Sequence, residues 1–136
     1  MNILVAANFM VLLVLQVQAT PVQEFPLSQV RLLDGPFKEN MDRNAAWLLS
    51  LDADRLLAGF RESAGLEPKA PRYGGWEQQG VAGHSLGHHL SACAAMSAQG
   101  DARFTERVSY IVHELALCQE AGGDGYVGAI PDGRRA

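Results

Sequence analysis

Cysteine is scarce, two residues in 136, which excludes a small domain held together by a dense disulfide framework. Charge is also sparse: 19% of residues are charged against 48% hydrophobic, and that balance excludes a disordered chain. The 14 glycines and 6 prolines are too few for a collagen-like fibre. Basic residues are outnumbered 11 to 15, giving a formal net charge of -4. They are scattered, with Arg134-Arg135 as the one run, so the basic surface that a nucleic-acid partner demands is missing. No apolar run reaches the roughly 20 residues of a stable membrane span. The length allows one domain at most, or part of a larger one, and no internal repeat is evident.

The start of the chain differs from the rest. Residues 1–19 carry no charged side chain, and residues 3–15 are apolar apart from Asn8. That is the length of a signal-peptide core. Val17 and Ala19 suit the -3 and -1 positions of a cleavage site, and Pro21 stops any helix just beyond. The segment lacks the usual Lys or Arg near its start, so an uncleaved anchor or a misassigned start codon are the competing readings. The expectation is a signal peptide over 1–19, a mature chain over 20–136, and a secreted or periplasmic location. In such a compartment Cys93 and Cys118, on adjacent predicted helices, could form a disulfide. Two buried free thiols fit their apolar helical surroundings better.

The mature chain reads as helices joined by Gly-rich loops, an all-α pattern. Residues 27–33 are expected to be short and extended. Asp34-Gly35-Pro36 forms a turn, with Pro36 suited to the first turn of a helix. Phe37, Met41, Ala45, Leu48 and Leu49 then recur at helical spacing. Asp52 can cap a second helix carrying Leu56, Leu57 and Phe60. A third helix is predicted from about Ala82 to Ala98, with Leu86, Leu90, Cys93 and Ala94 on one face. Gly100 ends it and Asp101 can cap a fourth, whose stripe is Phe104, Val108, Ile111, Val112, Leu115 and Cys118. Gly122-Gly123 stops that helix, and residues 123–131 form a Gly-rich turn with room for short strands. On the fourth helix Glu106, His113 and Glu114 read as a solvated face.

Three segments hold candidate chemistry. In Tyr73-Gly74-Gly75-Trp76-Glu77, an aromatic ring beside a carboxylate suits a sugar: the ring takes the C–H face and the acid accepts from hydroxyls. The competing reading has Trp76 anchoring the loop on the core and Glu77 solvated. In Gly83-His84-Ser85-Leu86-Gly87-His88-His89, His84 and His88 are four apart and share a helix face. They suit a pocket wall or structural hydrogen bonds. The spacing can also hold a metal, but the Glu of an H-E-x-x-H motif and a third ligand are missing, so no metal site is assigned. Gly83 and Gly87 reduce bulk on that face, and His89 reads as a surface residue. In Gly123-Asp124-Gly125-Tyr126-Val127-Gly128-Ala129-Ile130-Pro131, glycines surround an acid and an aromatic, as in a ligand-facing loop. The acidic ligands of an EF-hand and the Gly-Lys-Ser/Thr of a phosphate loop are both missing.

Together with Val30-Arg31-Leu32-Leu33-Asp34-Gly35-Pro36-Phe37, Leu51-Asp52-Ala53-Asp54-Arg55-Leu56-Leu57 and the continuation Leu90-Ser91-Ala92, these motifs resemble the amino-terminal part of the β-L-arabinofuranosidase-like glycoside hydrolases, families 127 and 146. The resemblance runs from about Phe25 to Pro131. It implies an (α/α)6-barrel catalytic domain, of which about four helices are present, and retaining hydrolysis of terminal β-L-arabinofuranosides in plant glycans. It also implies a cysteine nucleophile bound to zinc, held by three Cys and one Glu. Neither Cys93 and Cys118 nor Glu77 matches those motifs, so no catalytic or metal residue carries over. By resemblance Trp76, Glu77, His84, His88, Asp124 and Tyr126 lie at the pocket end as candidate substrate-binding residues. The chain is accordingly expected to be inactive alone, with apolar faces lacking partners. Two other readings stay open: a different glycan hydrolase on the same scaffold, or a non-catalytic helical carbohydrate-binding module.

Overall fold

A computed structural model describes residues 22–133, so the expected signal peptide and Arg134-Arg135 lie outside the described residues. Four α-helices follow in order: α1 (Pro36–Ser50), α2 (Ala53–Ser63), α3 (His84–Ala98) and α4 (Ala102–Gly122). Two 3-10 turns, Leu27–Gln29 and Gly75–Gln78, complete the regular structure, and no strand occurs among the described residues. The all-α expectation holds. The short strands allowed for 123–131 are not formed; that segment is turn and irregular backbone instead.

Local chemistry explains the helix ends. Pro36 opens α1, where its missing N–H costs nothing. Asp52 accepts from the Asp54 N–H at 2.9 Å and caps α2. Asp101 does the same for α4 through the Arg103 N–H at 3.1 Å. Gly123 ends α4 in the left-handed region, φ 74°, a conformation that glycine adopts without Cβ strain. α3 starts at His84, two residues later than expected, because Gly83 before it is left-handed, φ 90°.

α3 is the centre of the packing. One apolar cluster joins Ala53, Leu56 and Leu57 of α2 to Leu86 of α3 and Ile111 of α4. A second joins Ala45 and Leu48 of α1 to Cys93 of α3 and Phe104 of α4. Leu57 and Phe104 are fully buried, each contributing about 1.5–3 kcal/mol of transfer free energy. Polar clamps join the helices around these clusters. Arg107 of α4 donates to the carbonyls of Leu51 (2.6 Å) and Leu49 (3.2 Å), satisfying acceptors at the end of α1. Arg55 donates to the Pro71 carbonyl at 3.1 Å and stacks over the Tyr73 ring, fixing the loop that leads to the second 3-10 turn.

Several face assignments need correction. Glu114 is buried rather than solvated, whereas Glu106 and His113 are exposed. It occupies the inward stripe of α4 with Phe104, Ile111 and Cys118. Arg61 and Lys69 each reach it at 2.7 Å and neutralise it there. Burial alone would raise its pKa, but the Lys69 and Arg61 contacts outweigh that and hold it below the usual carboxylate range. His89 is also buried, because it lies on the inward stripe of α3 with Leu86 and Cys93. Phe37, Ala94 and Val112, expected on inward faces, are exposed.

Cys93 and Cys118 are both buried free thiols, and burial pushes both thiol pKa values up. This bears out the reading that placed them in the core without a disulfide. Among the described residues no helix is long and apolar enough to cross a membrane.

Candidate functional site

A cleft of about 450 Å³ opens between α1 and α3 beside the second 3-10 turn. Its wall carries Trp47 and Asn44 from α1, Trp76 from the turn, and His84, His88 and His89 from α3. The chain has two tryptophans, and both line this cleft. Trp76 is 63% exposed and Trp47 58%, so their ring faces are available rather than spent on the core.

Glu77 builds the site without lining it. Its carboxylate accepts from the N–H groups of Gly83 (2.8 Å) and Ser85 (3.1 Å), two donors that the start of α3 leaves unpaired. Glu77 thereby does for α3 what Asp52 and Asp101 do for their helices, from a turn outside the helix. Burial would raise its pKa, but hydrogen bonds from Ser85 and Gly83, with the charge of Arg72, lower it overall. The competing reading, with Trp76 anchoring the loop on the core and Glu77 solvated, is therefore inverted. The acid is buried and the indole is open.

The capped helix start sets the histidines. His84 and His88 point the same way, one turn apart, with Nε2 atoms 3.0 Å apart and ring planes at 83°. Trp76 leans over His84 with centroids 5.8 Å apart. Gly83 lets the start of α3 come close to α2: a Cβ there would sit 2.8 Å from the Phe60 ring. A Cβ at Gly87 would meet nothing within 4 Å, so only one of the two glycines relieves crowding among the described residues.

The structure therefore brings together Trp76, His84 and His88, and places Glu77 directly behind them. Asp124 and Tyr126 do not line this cleft. Asp124 accepts from the Tyr126 N–H at 2.9 Å, and the Tyr126 ring folds over Gly128 and Gly133 of its own loop. That loop packs on α2 and the start of α3, with Ala129 against Gly59 and Gly83. It borders a second, more polar cleft of about 610 Å³ that also meets Glu62, Arg72 and Gln78.

Sequence reading missed Asn44, Trp47 and His89. Asn44 and Trp47 sit off the Met41/Ala45/Leu48 stripe, and a tryptophan outside the apolar stripe was the available signal. His89 had none, since the second of two adjacent histidines looks polar. Its Nε2 lies 3.4 Å from Cys93 Sγ, and its Nδ1 has no hydrogen-bond partner among the described residues. Burial, with the nearby Arg107 charge, pushes its pKa down.

The zinc implied by the resemblance does not fit the described residues. Cys93 and Cys118 are buried, which pushes their thiol pKa values up, and the carboxylates of Glu77 and Glu114 are committed to backbone N–H groups and to cations. No group of three or more His, Cys, Asp or Glu among the described residues is placed to hold a metal ion.

A family model described as beta-L-arabinofuranosidase, GH127 catalytic domain, matches residues 29–136. The chain belongs to this family. Among curated proteins none matches it. Membership in GH127 makes carbohydrate the substrate class.

Proposed function

We propose that this chain forms the early wall of an (α/α)6-barrel catalytic domain in a secreted or periplasmic, retaining β-L-arabinofuranosidase acting on plant glycans. The observation that carries the reading is the convergence of Trp47, Trp76, His84 and His88 on one cleft in a GH127 domain. Trp76 and Trp47 supply apolar ring faces, while His84, His88 and Asn44 supply donors and acceptors to sugar hydroxyls. Such contacts accelerate the reaction only where they strengthen in the transition state. Glu77 is a positioning residue, holding the start of α3 and the Trp76 turn in register. Asp124 and Tyr126 belong in this reading to the neighbouring loop rather than to the first contacts with sugar.

The reaction centre lies elsewhere in this reading. The zinc-bound cysteine nucleophile and its Cys and Glu partners come from residues outside this sequence, and the 136-residue chain alone releases no L-arabinose. Two observations test it. Reading the gene past codon 136 is expected to show an open frame supplying a Glu and three Cys suited to one zinc site; an immediate stop would overturn the assignment. In the complete enzyme, Trp76→Ala is expected to lower kcat/KM on a β-L-arabinofuranoside by roughly tenfold or more, about 1.4 kcal/mol of transition-state binding. Unchanged kcat/KM would remove Trp76 from the site.

A further inference from the structure

His84 and His88 have a geometry that sugar binding does not require. We propose that the two form a bidentate site for a divalent transition-metal ion of the copper and nickel class at the mouth of the cleft. The proposal rests on the geometry of the pair and not on the arabinofuranosidase reading. The site is separate from the zinc that the family resemblance implies.

Two separations define the pair. Without an ion the two rings share an Nε2···Nε2 hydrogen bond of 3.0 Å, and their centroids lie 4.4 Å apart. A straight N–H···N bond of that length would hold the ring centres roughly 5.3 Å apart, since each nitrogen lies about 1.2 Å from its ring centre. The rings are closer than that, so the nitrogen directions are bent. An ion about 2.0–2.1 Å from each nitrogen, with a right angle between them, separates the nitrogens by roughly 2.9 Å and the ring centres by about 4.5 Å. The observed pair fits that arrangement. A right angle between ligands is the tetragonal preference of Cu(II) and Ni(II).

The pair is also held in place and open to solvent. Both histidines are exposed, so a hydrated ion reaches them without unfolding the helix. Their i, i+4 spacing on α3 fixes one ligand relative to the other. His84 lies in the first turn, where helices fray, but the Glu77 carboxylate holds the Gly83 and Ser85 N–H groups on either side of it. Among the described residues no third His, Cys, Asp or Glu joins the pair, so water fills the remaining positions. Two imidazoles select Cu(II) over Ni(II), and Ni(II) over Co(II) and Mn(II). They give Mg(II) and Ca(II), which take oxygen ligands, no purchase.

The neighbouring indole supplies the readout. Trp76 lies beside His84, and a bound paramagnetic ion quenches indole emission at this range. The experiment titrates Ni(II), which does not oxidise the two thiols, into the full chain carrying Trp47→Phe, so that Trp76 is the sole emitter. Saturable quenching with one equivalent, reversed by EDTA, is expected. His88→Gln and His84→Gln should each weaken the apparent affinity at least tenfold with unchanged far-ultraviolet circular dichroism, while His113→Gln, exposed on α4, should leave it unaltered. Mg(II) should not quench. Quenching that persists in His88→Gln, that His113→Gln abolishes, or that is missing altogether would overturn the site. The titration contains no sugar, so its outcome is independent of the glycan assignment.

Discussion

The backbone N–H groups of Gly83 and Ser85 find their acceptor in a side chain six to eight residues earlier, and that single carboxylate decides where Trp76 and His84 stand. The two glycines of the His84 helix start separate a steric role from an incidental one. Gly83 is left-handed and pressed against Phe60, so Gly83→Ala should destabilise the fold by about 1–3 kcal/mol. Gly87 is helical and uncrowded, so Gly87→Ala should stabilise by roughly 0.5–1 kcal/mol. Urea midpoints of the two variants check both, and shifts of the same sign would refute the contrast. His89 adds a pH dependence. Its folded pKa is lowered by burial, so the unfolded chain binds its proton more readily. Its contribution is complete above the unfolded value of about 6.5 and is lost as pH falls from there toward the folded value. His89→Leu should flatten the thermal midpoint against pH over that window, and an unchanged profile would show that His89 does not carry it.

At the scale of the helices, the capping residues were legible and the inward faces only partly so. Asp52, Asp101 and Gly123 mark their helix ends in the sequence because a cap is a local interaction. The direction in which a helix faces is set by its partners. Glu114 sits on the α4 stripe, but its cations, Arg61 and Lys69, are 53 and 45 residues away in the chain, so its burial could not be read locally. His89 repeats the lesson on α3. The pairing at Glu114 ties α2 and the 66–72 loop to α4, and Tyr110 adds a hydrogen bond to Asp54 beside it. Glu114→Ala should cost roughly 2–3 kcal/mol, less than a fully buried pair because Lys69 keeps contact with water. Chemical denaturation checks this, and a change below about 0.5 kcal/mol would mean that the pair adds nothing beyond a surface ion pair.

At the scale of the whole molecule, α1, α2 and α4 pack around α3, and the cleft between α1 and α3 carries both tryptophans on its wall. Half of the candidate site was legible. Trp76, His84 and His88 are close in sequence and share one local unit, the turn and helix start that Glu77 joins. Trp47 and Asn44 come from a helix about 40 residues earlier and enter only through the α1–α3 packing. Asp124 and Tyr126 looked alike in composition to the Trp76 loop, yet their own loop closes on itself and turns to the other cleft. Binding of an arabinofuranosyl unit in the Trp47/Trp76 cleft, as proposed, is tested most directly by tryptophan emission, since no indole lies elsewhere in the chain. A titration with a β-L-arabinofuranosyl oligosaccharide is predicted to shift the emission saturably, with the shift lost in Trp76→Ala and in His84→Ala and not produced by a glucose oligomer. An emission spectrum that stays unchanged through the titration, or that responds equally to glucose, would contradict it.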